Sequence, residues 1–167
     1  DRHRNMHAVF DQTWSLLSEA ERQVMLALSV FRGGFSREAA EAVASASLYT
    51  ISSLVDKSLL RATNTGRFTI HELQRQYASE RLDENPDFRT QIQDVHCAYY
   101  AALVSNAEPE LLRGGNTELL RTIDVDIHNI RRAWDWALHT LRIEDLQIMM
   151  EGIYYYTWLR SGYEDGL

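Results

Sequence analysis

Apolar positions recur at three- to four-residue spacing along most of the chain, and the rhythm changes in one place. Residues 4–17 put Met6, Val9, Phe10, Thr13, Trp14 and Leu17 on one helical face. In the following SEAERQVMLALSVF, Ser18 and Glu21 have capping-box spacing, hydroxyl and carboxylate each satisfying an orphan backbone N–H. Gly33-Gly34 is the expected end of that helix, since glycine takes a left-handed C-terminal conformation at no steric cost. Ser36 caps a short helix, REAAEAVA, and a fourth helix covers about 48–57 with Leu48, Ile51, Leu54 and Val55 as its buried side. LLRATNTGRFTI reads as a β-hairpin turning at Asn64-Thr65-Gly66. Within FTIHELQRQYA the period then switches from two to helical, and His71 stands at the switch.

Helices, a two-stranded ribbon and a closing helix predict a winged-helix domain over 1–85. Asp83-Glu84-Asn85-Pro86 is the expected boundary, because Pro86 disfavours helix at Asn85. From 86 to 167 the pattern is all-helical. A helix over about 87–107 carries Ile92, Val95, His96, Tyr99, Tyr100 and Leu103, and is broken by Pro109 and Gly114-Gly115. A second, about 117–141, carries Leu119, Leu120, Ile123, Ile127, Ile130, Ala133, Trp134, Ala137 and Leu138; a third, about 143–160, carries Leu146, Met149, Met150, Ile153, Tyr154 and Trp158. The fold class expected is mostly α: a winged helix, then an antiparallel α-helical segment.

The totals narrow the classes. No apolar run approaches the ~20 residues needed to span a bilayer, so no membrane partner is expected. One cysteine, Cys97, excludes an internal disulfide and a cysteine zinc cage, which fits a reducing cytoplasm. The first residue is not Met and the last segment, GYEDGL, starts a new element, so the chain is expected to be a fragment of a longer protein. Residues 1–85 hold 10 Lys/Arg against 11 Asp/Glu, and residues 86–167 hold 7 against 13. Neither half has the basic excess of a nucleic-acid binder. The helix that would enter a groove, SLYTISSLVDKS, offers only Lys57, beside Asp56, and the wing offers Arg61 and Arg67. That poverty disfavours DNA as a partner.

The pattern GxxxxGK[ST] is absent, so the chain alone is expected not to hydrolyse ATP. Asp124, Asp126 and His128 suit a helix N-terminal charge preference better than a metal, and the adjacent His96 and Cys97 point apart on a helix. Tyr154-Tyr155-Tyr156 and Trp158, with Trp134 and Trp136, form the richest aromatic run. Inter-helix packing accounts for such a run, and the functional alternative is a sensor surface at Trp134, Tyr155 and Trp158.

RFTIHELQRQYASERL, LSVFRGGFSREAAEAV and SSLVDKSLL, in that order, resemble the winged-helix module of the signal-transducing ATPases with numerous domains, in particular bacterial NB-ARC-type regulators. The resemblance covers about residues 3–85. DIHNIRRAWDWAL and WLRSGYEDG are similar to the start of a tetratricopeptide-like sensor, with Ser161 where glycine is common, Tyr163 at the aromatic position, Gly166 in place of alanine and Tyr154 where a small residue belongs. The resemblance implies a nucleotide-gated switch with ADP or ATP and magnesium held by a preceding ATPase core of the same chain. It implies a protein or small-molecule ligand at the repeats and oligomerisation on activation. It also implies that His71, in Ile70-His71-Glu72, contacts the β-phosphate of ADP, with Glu72 a weaker carry-over because its carboxylate sits one methylene further out than the family's Asp. The competing expectation is a DNA-binding winged helix with a helical dimerisation domain.

Overall fold

The computed structural model describes residues 10–114 and 117–164. Met6, Val9, Gly115 and Gly166 lie outside the described residues, as does the Tyr163 side chain. The chain divides into two compact units, residues 1–92 and 93–167.

The first unit is a winged helix. Its elements are α1 (residues 10–15), α2 (Glu19–Leu28), α3 (Arg37–Ala44), α4 (Leu48–Asp56), β1 (Arg61–Ala62), β2 (Phe68–Thr69) and α5 (Glu72–Asp83). Three serines start three helices: Ser18, Ser36 and Ser47 each accept from the backbone N–H three residues on. At Ser18 the capping box is complete, Glu21 reaching back to the Ser18 N–H at 2.7 Å. Helix α2 packs on α3, α4 and α5. Met25, Leu28, Phe35, Ile51 and Leu54 are almost wholly withdrawn from water, each contributing roughly 1.5–3 kcal/mol of burial. From α5, Tyr77 and Ala78 complete this core.

Two expectations about α2 and α4 change. Helix α2 ends at Ser29, not at Gly33-Gly34. The Ser29 hydroxyl donates to Leu26 O at 2.7 Å, and single turns then fold the buried Val30 and Phe31 inward. The glycines, at φ 75° and 98°, instead reverse the chain so that Phe35 bridges Phe68, exchanging backbone bonds of 3.0 and 2.9 Å. A Cβ on Gly34 would lie 2.9 Å from Phe68 O. Leu48, expected inside, is exposed because it is the first residue of α4, while Ile51 and Leu54 carry the burial. The hairpin pairs Arg61 with Thr69 and Ala62 with Phe68, turning over Thr63–Gly66, where the Gly66 N–H donates to Thr63 O.

The second unit contains the rest of α6 (Pro86–Leu112), α7 (Thr117–His139) and α8 (Ile143–Glu164), the unit division falling within α6. Pro109 does not break α6, which runs on to Leu112. Only three residues follow Pro109, so one lost backbone bond near the end is tolerated, and Gly114 (φ 98°) makes the stop. Helices α7 and α8 pack as a hairpin across residues 140–142. There Arg142 bridges Asp94 and Asp145, and the Trp136 indole N–H donates to Asp94 at 2.8 Å. The interior also holds polar groups that apolar periodicity does not mark: Tyr100 donates to Asp126 Oδ1 at 3.2 Å and Asn129 to the same oxygen at 3.1 Å. Their mutual hydrogen bonds are what make such burial affordable.

Helix α8 is rotated from its expected setting. Met149, Gly152 and Leu159 face inward, while Met150, Tyr154 and Trp158 are 57%, 63% and 62% exposed. The sequence is apolar on nearly every side of this helix, so spacing alone cannot choose a face. Packing chooses through Gly152, where a Cβ would stand 2.4 Å from Val104 Cγ1 and 2.9 Å from Val104 O. The small residue that permits close helix approach is thus Gly152, two residues before the bulky Tyr154.

Candidate functional site

His71 is the N-cap of α5. Its extended backbone (φ −60°, ψ 136°) ends the ribbon, and its ring Nδ1 accepts from the Leu73 N–H at 3.3 Å. With Nδ1 accepting, a neutral ring carries its proton on Nε2. The residue is exposed and lines an open groove of about 610 Å³ with Leu60, Arg61, Thr69 and Gln74. Gln74 is anchored there by donating to Ser58 O at 3.3 Å. The site therefore presents an imidazole N–H, a guanidinium and a helix N-terminus on one side of the ribbon, a combination suited to an anionic group.

Glu72 faces a different partner. Its two carboxylate oxygens accept from Arg75 at 2.9 and 2.6 Å, and Arg75 also donates to Ser29 O at 3.3 Å. The Arg75 hydrogen bonds hold the Glu72 carboxyl below its ordinary range. Glu72 favours the positive end of α5 and closes an i,i+3 pair, leaving the groove's chemistry to His71 and Arg61.

Helix α4 would be the groove-reading helix of a DNA-binding winged helix. Its neighbouring cation, Lys57, is committed to Glu21, not to Asp56, with Nζ 2.5 Å from Glu21 Oε1. Ser53 donates to the same oxygen at 2.6 Å. Lys57 first, then Ser53 and the Ser18 N–H, hold the buried Glu21 carboxyl down at about 2. This knot ties α4 to α2 and pairs the α4 cation, which stays at the surface, with an acid of the same unit. What α4 exposes is Leu48 and Tyr49, the latter 84% accessible.

In the helical unit, α7 and α8 enclose an open groove of about 670 Å³. Of the three residues expected to form a sensor surface, Trp134 lines this groove, Tyr155 is half-buried and Trp158 is exposed. Tyr156 also lines the groove, donating to Asp124 Oδ1 at 2.5 Å, while Arg160 pairs with Asp124 Oδ2. Burial, followed by Asp124, pushes the Tyr156 phenol up to about 12. Ile153, Tyr156 and Arg160 follow one another at helical spacing, a signal that could have selected Tyr156 from the tyrosine run. Nothing in the sequence pairs Arg160 with Asp124. Among the described residues no group of three His, Cys, Asp or Glu is placed to hold a metal, and His128 is exposed while Asp126 is buried. Cys97 is buried, its thiol pushed up to about 11 by burial and then by Asp145, which disfavours the nucleophilic thiolate. Among the described residues no helix is long and apolar enough to cross a membrane.

No protein-family model matches the chain. No solved structure matches it significantly. It is 30% identical over 146 residues to provisionally named HTH-type transcriptional regulators of Mycobacterium bovis and of two Mycobacterium tuberculosis strains. The match covers 81% of this chain and 16% of each relative, so the chain spans about a sixth of the length of the curated relatives it matches.

Proposed function

We propose that this chain is a regulatory segment of a transcriptional regulator, in which the winged helix couples a helical sensing unit to a nucleotide-holding core elsewhere in the protein. The observation that carries this reading is the cap at α5. The Leu73 N–H occupies His71 Nδ1, so the neutral ring has Nε2–H left to donate, and Arg61 lines the same groove. Those residues would hold the phosphate side of a bound nucleotide, ADP in the resting state. The nucleotide and its magnesium would come with the core, since the segment has no phosphate loop of its own. A ligand at the helical unit that favours a different arrangement of the winged helix would weaken this hold, a coupling free energy between two sites. Such a protein would work in the cytoplasm and would assemble into oligomers when released.

The names of the relatives favour a second reading, a DNA-binding winged helix with a helical dimerisation unit. A name given to a protein of which the match covers 16% does not say which part touches DNA. The surface of α4 speaks against that part being this one, because Lys57 is held by Glu21 and Tyr49 and Leu48 stand where phosphate and base contacts would be made. Fluorescence anisotropy of labelled duplex DNA with this chain at physiological salt separates the readings. The coupling role predicts no saturation at micromolar protein. Saturable, sequence-selective binding that is lost with Tyr49→Ala or Arg61→Ala would establish the DNA role in its place.

A further inference from the structure

The groove between α7 and α8 has a charge arrangement that its own residues do not use up. Ile127, Ile130 and Ile153 line it with Trp134, a mostly apolar surface in a volume of the size small-molecule sites have. At one end the carboxylate of Asp124 is closed off, one oxygen by Tyr156 and the other by Arg160. Along the middle stands Arg131, exposed and with no carboxylate partner among the described residues. On α7 it stands one helical turn from Ile127 on one side and from Trp134 on the other. Asp135 follows four residues after Arg131 and brings a negative charge to the Trp134 end.

From this arrangement we infer that the α7–α8 groove binds an organic monoanion with an apolar body, its carboxylate or sulfonate head on Arg131 and its body against Ile127, Ile153 and Trp134. A neutral apolar ligand would leave Arg131 without a partner. A dianion would meet Asp135 and the already neutralised Asp124, so a single charge is the best complement. The inference deepens the sensing role given to the helical unit. Its test involves neither nucleotide nor His71, so a failure here leaves the coupling reading standing, and the reverse also holds.

The test uses the whole 167-residue chain and two dyes of one shape, 8-anilino-1-naphthalenesulfonate and its uncharged counterpart N-phenyl-1-naphthylamine. The anionic dye should bind saturably, one per chain, with energy transfer from Trp134 that falls in Trp134→Phe. Arg131→Gln should weaken the anionic dye about tenfold, as expected for one charge-assisted contact, and leave the neutral dye unchanged. Arg131 is exposed, so the variant retains the fold, checked by its circular dichroism. The inference is overturned if Arg131→Gln weakens neither dye or both alike. It is equally overturned if binding survives Arg131→Gln and is removed by Trp158→Ser, which would place the dye on the outer face of α8.

Discussion

Replacing Glu21 with Gln removes the charge that joins α2 to α4 while keeping the side chain's volume. In the native protein its carboxylate accepts from Lys57 at 2.5 Å, Ser53 at 2.6 Å and the Ser18 N–H at 2.7 Å. Together these lower its carboxyl from 4.5 to about 2. At ~1.4 kcal/mol per unit the shift corresponds to at most about 3.4 kcal/mol. Lys57 is 36% accessible and partly screened, so about 2 kcal/mol is expected. For a unit of this size that lowers the melting temperature by roughly 8–16 °C at pH 7. Because the folded value is the lower one, this stability is complete above the unfolded pKa and lost as pH falls from 4.5 towards 2. Thermal unfolding by circular dichroism, with hydrogen exchange of the α2 and α4 peptides to assign the transition, should therefore show a gap between wild type and Glu21→Gln that closes with acid. A gap absent at pH 7, or unchanged between pH 6 and pH 3, would refute the knot. The variant also frees Lys57, so unchanged DNA affinity in Glu21→Gln would further weaken the DNA reading.

Gly152→Ala should destabilise the helical unit by about 1–3 kcal/mol in urea unfolding, and adding Val104→Ala should recover only part, because Val104 O, 2.9 Å from the new Cβ, stays in place. Asp124→Asn should bring the Tyr156 phenol part of the way down from about 12, read as absorbance at 295 nm; only part, since burial is the larger cause. The wild-type Tyr156 contribution to stability is present below its ordinary value of 10 and lost as pH rises towards 12, so the variant should show less alkaline loss.

The winged helix was legible because local signals and the fold agree there. Ser18, Ser36 and Ser47 each cap the helix they precede, and Asn64-Thr65-Gly66 sits in the ribbon's turn. Where a signal had two readings the nearer one misled. Gly33-Gly34 suggested a helix stop, whereas their positive φ values serve the Phe35–Phe68 bridge. Asp56 stood next to Lys57 in sequence, yet Glu21, 36 positions away, binds it. In the helical unit, α8 is apolar around its circumference, and a glycine contact rather than periodicity sets its face. That setting places Tyr156 in the groove wall and leaves Tyr155 half-buried and Trp158 exposed. His71 was found from its position at the change of rhythm, but its Nδ1 acceptor role and the resulting tautomer are three-dimensional facts.

The coupling role rests on separating the two jobs of His71, and His71→Asn does so. Asparagine is among the best N-cap residues, so the cap on Leu73 survives, while the imidazole Nε2–H is lost. In the nucleotide-holding protein proposed here the decisive quantity is the ADP dissociation rate, measured by displacement of a fluorescent analogue, with the melting temperature of this chain as control. The account predicts a dissociation rate about tenfold to a hundredfold faster, as for loss of a ~1.5–3 kcal/mol bond to a charged group, at an essentially unchanged melting temperature. An unchanged dissociation rate in His71→Asn, or a parent protein that holds no nucleotide, would contradict it.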